Sequence, residues 1–156
     1  DEDFPRGRGL FMPVVQTASA AELPSRRYPF TLITGRSLYH WHTGAITREV
    51  ANLMKKVPVV TVDINPADAN EMNIRDGQDI QISSRRGEII ARVHVVDRMQ
   101  RGDLFVPFVA LEGVAANILT NDALDLPSGI PEYKACAVRL DAPGSIRKAR
   151  KKRPTD

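Results

Sequence analysis

The sequence predicts a mainly β fold with short helices (α+β), closed into a small barrel. Three observations predict it. Six short β-rich runs lie between tight turns after residue 27, only two stretches carry helical signals, and residues 79–96 form a plain hairpin. An open doubly wound sheet would need a helix after nearly every strand, which the hairpin forbids.

The first strand, 30–34, is a β-branched and apolar run that stops at Gly35. Residues 46–55 carry apolar side chains at 46, 50, 53 and 54, a helical spacing. The second strand, 59–63, leads to Asn65 and Pro66, an N-cap followed by proline at the first helical position ahead of ADANEM. Arg75-Asp76-Gly77-Gln78 is a turn before the third strand, 79–83. Ser84-Arg85-Arg86-Gly87 is a hairpin turn into the fourth, 88–96. Runs 104–108 and 134–140 complete the set. No repeat of fixed period is visible.

The 156 residues, 42% of them hydrophobic, suffice for one domain with an ordinary core. Three regions are expected. Residues 1–26, with GRG, a polar ASAAELPSRR stretch and an apolar run from Leu10 to Val15, read as a strand and linker. Residues 27–142 form the barrel, and 143–156 a basic tail. Positions 147–153 hold six of the 22 Lys and Arg, leaving 16 against 18 acidic residues in 1–146, a net of −2. Such a tail reads as a solvated terminus. An acidic body without a basic stripe argues against nucleic acid as partner. No run of about 18 apolar residues exists to span a membrane. The chain starts without Met and has no secretory signal, which reads as a piece of something longer with a cytoplasmic setting. The single cysteine, Cys136, lies between two alanines in a strand and reads as a small buried group rather than a nucleophile.

Residues 32–47, LITGRSLYHWHTGAIT, carry the densest chemistry. Past Gly35, the side chains of Arg36, Ser37, His40, Trp41, His42 and Thr43 offer donors and a flat π surface to an anionic, ring-containing ligand. The plain alternative is a surface loop anchored by one Trp. His40 and His42 have the spacing of a metal pair, but a third ligand would have to come from afar, with His94 set in a strand. Gly7 and Gly9 meet only the first two positions of a dinucleotide fingerprint, and no phosphate-binding P-loop exists. Asn117 can read the edge of a heterocycle or cap a turn, while Lys134 can neutralise a phosphate or stand in solvent. No acid, base or nucleophile stands in a catalytic context.

Four segments in order, TGRSLYHWHTG, VTVDINPADANEMNIRDGQDIQISSRRGEI, GDLFVPF and ANILTNDALDLPSGIPEYKACAVRL, resemble one family. It is the C-terminal molybdopterin-dinucleotide-binding domain of the dimethyl sulfoxide reductase superfamily. The IPEYKACAVRL ending leans toward formate dehydrogenase catalytic (alpha) subunits, and the HWHTG loop is also similar to that of nitrate reductases. FPRGRGLFMPV resembles the strand preceding this domain in such subunits.

The resemblance implies a double-psi β-barrel that grips the pterin and diphosphate of a bis-molybdopterin guanine dinucleotide carrying molybdenum or tungsten. The implied contacts are Thr34, Gly35, Arg36, Ser37, His40, Trp41, His42, Thr43, Asn117 and Lys134. Phe108 falls near the position that faces the substrate channel in nitrate reductases, although the interval from Phe108 to Asn117 looks one residue longer here. The metal ligand and the iron–sulfur cysteines belong to other domains of the implied parent, so the isolated domain is not expected to be catalytic. Implied partners are those domains and the parent's electron-transfer subunits. Against this stands a freestanding double-psi adaptor that holds a protein or peptide.

Overall fold

The computed structural model describes residues 9–13, 20–125 and 128–141. Six strands close a barrel: β1 (Phe30–Gly35), β2 (Thr61–Ile64), β3 (Asp79–Ser83), β4 (Glu88–Val95), β5 (Asp103–Pro107) and, last in the chain, β8 (Ala135–Asp141). A two-stranded sheet, β6 (Leu124–Asp125) with β7 (Ile130–Pro131), stands beside it and was not foreseen from sequence.

Around the barrel the order is β1-β5-β2-β4-β3-β8, with β1–β5 and β2–β4 parallel and the other pairs antiparallel. Because β5 lies between β1 and β2, the connection from β1 to β2 must cross over it. Because β2 lies between β5 and β4, the connection from β4 to β5 must cross over β2 in turn. These two interlocked crossings make the barrel a double-psi one, and closure removes the free edges that an open sheet would expose.

The interior is written in period two. In β4, Ile89, Ala91 and Val93 point inward while Ile90, Arg92 and His94 face out. Leu32, Val62, Ile64, Ile80, Ile82, Leu104, Val106 and Val138 from the other strands join them in the core. Ile33, within the apolar run read from sequence, faces outward and is partly exposed, because β1 also alternates.

The hairpin turn at 84–87 forms as expected, with Ser84 N–H donating to the Gly87 carbonyl at 2.9 Å. Asn65 caps α2 (Pro66–Glu71), its Oδ1 accepting from Ala67 N–H at 2.8 Å while its Nδ2 donates to the Met99 carbonyl at 2.7 Å. The buried Asp68 of α2 accepts from Gly102 N–H at 2.7 Å and pairs with Arg101 at 3.0 Å, tying the helix to the entry of β5.

The helix expected over 46–55 is broken. Val50 is extended (φ −95°, ψ 103°) and separates a 3-10 turn, Thr47–Glu49, from α1 (Ala51–Lys56). Neither piece fully buries a residue, and only the C-terminal half packs, through Met54 against the core, so nothing offsets the poor helix propensity of the β-branched Ile46, Thr47 and Val50 in the N-terminal half. Leu10 to Pro13 carry no strand. Val14 and Val15, the basic stretch 147–153 and the rest of 143–156 lie outside the described residues. Among the described residues no helix is long and apolar enough to cross a membrane.

Candidate cofactor-binding cleft

Three stretches far apart in sequence are stitched together beyond the ends of β1 and β5 and the start of β8. Phe108 N–H donates to the Gly35 carbonyl at 2.7 Å, Ala110 N–H to the Thr43 carbonyl at 2.9 Å, and Thr34 N–H to the Lys134 carbonyl at 3.2 Å. Buried Thr34 adds a side-chain link, its hydroxyl donating to the Tyr133 carbonyl at 2.5 Å. An open cleft of about 580 Å³ results, within the size range of small-molecule sites.

Arg36, His42, Thr43, Phe108, Asn117 and Lys134 all line this cleft. Six residues named from sequence thus meet at one place. Among the described residues neither Arg36 nor Lys134 has a carboxylate within ion-pair distance. The Lys134 ammonium stands 4.7 Å from the centre of the Phe108 ring and 5.5 Å from that of Tyr133, and the rings lie 5.6 Å apart. Asp122 is the one acid among the lining residues. The arrangement offers two uncommitted cations, aromatic faces and the exposed amide of Asn117, which fits an anionic ligand with ring systems.

Other residues named from sequence sit elsewhere. His40 is buried, with Nδ1 3.0 Å from the Thr47 hydroxyl and Nε2 3.3 Å from the Val57 carbonyl, so both nitrogens are engaged within the loop. It therefore shapes the loop and has no free nitrogen for a metal or a ligand. His94 lies on the outer face of β4, its Nδ1 3.0 Å from the buried Asp63 carboxylate. Gly35 is needed for packing: a Cβ there would come within 2.6 Å of the Phe105 ring. Ser37 lines a second cleft, of about 420 Å³, on another side of the barrel. Trp41 is largely exposed, its ring edge-on to His42 at 4.9 Å.

His42 itself has φ 49°, a left-handed backbone that non-glycine residues adopt at a cost. Gly44, at φ +80°, turns the loop back beneath it. Cys136 is fully buried, and burial pushes its thiol up to about 11, with Arg86 opposing. Sequence reasoning did not name Thr120, Asn121, Asp122, Pro131 or Tyr133 as lining residues. A usable signal was the polar TND triplet, residues 120–122, three positions after Asn117.

Residues 30–137 match the family described as the Molydopterin dinucleotide binding domain. The chain belongs to this family. Its relatives include the F420-dependent formate dehydrogenase subunit alpha of Methanocaldococcus jannaschii, 42% identical over 135 residues, which are 86% of this chain and 20% of that protein. The F420-dependent formate dehydrogenase 1 subunit alpha of Methanococcus maripaludis is 39% identical over 127 residues, 81% of this chain and 19% of that protein. The molydopterin-binding chain thus spans about a fifth of the length of these curated relatives. Acetylene hydratase from Pelobacter acetylenicus shares its fold, with a TM-score of 0.65 at 13% identity over 80% of this chain and 21% of that one.

Proposed function

We propose that this domain clamps the pterin and diphosphate of a bis-molybdopterin guanine dinucleotide as the C-terminal barrel of a formate dehydrogenase-type oxidoreductase. The observation that carries the reading is the convergence of Arg36 and Lys134, both without an acidic partner among the described residues, on a cleft walled by Phe108 and Tyr133. When bound, the cofactor supplies the redox chemistry of formate oxidation to carbon dioxide at molybdenum or tungsten. The residues of this chain bind and orient. Arg36 presents a planar fork to the diphosphate, Lys134 a point charge, and Asn117 donor and acceptor together to a heterocycle edge. The phosphates belong beside these cations, away from the Asp122 carboxylate. His42 offers a ring surface to the pterin, braced edge-on by Trp41, and Thr43 a hydroxyl. Thr34, Gly35 and His40 act by holding this wall in place. Phe108 stands where a substrate channel would pass.

In this reading residues 1–26 are the tail of a preceding domain, 27–142 the cofactor barrel and 143–156 a solvated tail. The other domains supply the metal ligand and iron–sulfur clusters, electron-transfer subunits accept the electrons, and the enzyme works in the cytoplasm. The formate dehydrogenase relatives support formate over nitrate as substrate. The test is Arg36→Ala in the parent enzyme, with molybdenum and guanine content measured beside formate oxidation. Content and activity should fall together. Full cofactor content in the variant would remove Arg36 from the clamp.

A further inference from the structure

The hairpin turn 84–87 lies outside the cleft, yet it grips the loop that forms one of its walls. Arg86 reaches across and donates to the Leu119 carbonyl from both Nε, at 3.0 Å, and Nη2, at 2.8 Å. Its remaining arm, Nη1, pairs with the Glu22 carboxylate, which also receives Arg85 and the Ala137 N–H. Gly87, the next residue, packs on Ile118: a Cβ there would stand 2.7 Å from Ile118 Cγ2 and 3.1 Å from the Ile118 carbonyl oxygen. Consecutive residues of the turn thus hold consecutive residues of the loop.

The held residues sit between ligand-facing ones. Ala116–Ile118 is a 3-10 turn that carries Asn117, and Thr120, Asn121 and Asp122 follow Leu119 directly. Asn117 and those three line the cleft, whereas Arg86 does not. The Leu119 side chain is fully buried, and the other donor to its carbonyl among the described residues is the Cys136 thiol at 3.4 Å, a weak one. The strong bonds at this fixed point therefore come from Arg86.

We propose that Arg86 is a positioning residue for the cofactor cleft: its fork, braced by Glu22, fixes the 116–122 loop so that Asn117 meets the heterocycle edge. The inference rests on the cofactor reading above and adds a residue that acts on the ligand only through the loop. Arginine suits the task because its planar guanidinium donates twice to one carbonyl while the remaining amino group meets a carboxylate, whereas a lysine ammonium is a point charge on a flexible stem.

Hydrogen exchange of the full-length subunit carrying Arg86→Lys, read by mass spectrometry, tests the positioning. The Ile118 and Leu119 amides, bonded within the turn to the Ala115 and Ala116 carbonyls, should exchange about tenfold faster than in wild type, while Arg92 and Val93 in β4 keep their rates. Guanine release from the same subunit on warming should quicken by about threefold to tenfold, because a loop in place for a smaller fraction of the time holds the ligand correspondingly less. Unchanged exchange at 118 and 119, exchange that rises equally across the barrel, or unchanged release from a loosened loop would each overturn the proposal. If Arg86→Lys does not fold, Glu22→Gln, which keeps the arginine and weakens its brace, should give the same pattern at smaller amplitude and is refuted by the same results. Arg36→Ala reads the clamp separately, since its 116–122 loop should exchange as in wild type. Guanine release unchanged in Arg36→Ala but quickened in Arg86→Lys would reject the Arg36 clamp and keep the positioning.

Discussion

Gly44→Ala isolates how tightly the cleft loop is built. Gly44 and Gly77 have nearly the same left-handed backbone, φ +80° and +75°, so an added methyl carries the same conformational penalty at both, roughly 1–2 kcal/mol. They differ in surroundings. At Gly77 the new Cβ meets nothing within 4 Å, whereas at Gly44 it would stand 2.8 Å from Cγ2 of Val109. Val109 is fully buried and has no room to retreat. Overpacking of this kind adds about 1–3 kcal/mol, so Gly44→Ala should cost roughly 2–5 kcal/mol and Gly77→Ala only the conformational part. With a urea slope of about 2 kcal/mol per molar, the two midpoints should differ by about 0.5–1.5 M. Equilibrium urea unfolding of both variants measures this. Val109→Ala removes the clashing methyl, so in that background Gly44→Ala should cost no more than Gly77→Ala. Equal midpoints for the two single variants, or an undiminished cost beside Ala at 109, would refute the packing argument.

Three further outcomes follow from the same geometry. Thr34→Val keeps the shape and deletes the hydroxyl that holds the Tyr133 carbonyl, so it should cost about 1–3 kcal/mol in urea unfolding; an unchanged midpoint would show that the link carries no weight. Burial raises the Cys136 thiol to about 11, so stability tied to its protonated form is intact below the ordinary thiol value and is lost as pH climbs from there through 11. At pH 8 only about one thiol in a thousand is ionised, and native protein should react with maleimide far more slowly than unfolded protein. Burial alone would raise Asp141, yet hydrogen bonds from Arg139 and Ser83 and the Arg139 charge hold it below the ordinary carboxylate value. Its contribution is therefore complete above that value and is lost as pH falls through the lowered one. Asp141→Asn should flatten the acid limb of a stability–pH curve, and an identical limb would contradict the assignment.

What the sequence by itself determined is what short-range physics controls. The strands at 79–83 and 88–96, the turn residues at 84–87 and the Asn65-Pro66 start of α2 are decided by neighbours within a few positions, and they appear in place. The ordered family motifs likewise named six residues that meet in the cleft. Helix 46–55 formed only in its second half because the tertiary structure covers the apolar face at Leu53 and Met54 and leaves Ile46 and Val50 exposed. His40 was legible as a functional group but not as an inward one, since only the approach of Val57 and Thr47 gives its nitrogens partners. Tyr133 and Asp122 enter the site solely because β8 returns to pair with β1, about a hundred residues after it. The order β1-β5-β2-β4-β3-β8 was likewise decided by tertiary structure alone. Periodicity states which face of a strand is apolar, whereas the partner of that strand is settled by which of many distant pairings closes the barrel and buries all the apolar faces at once.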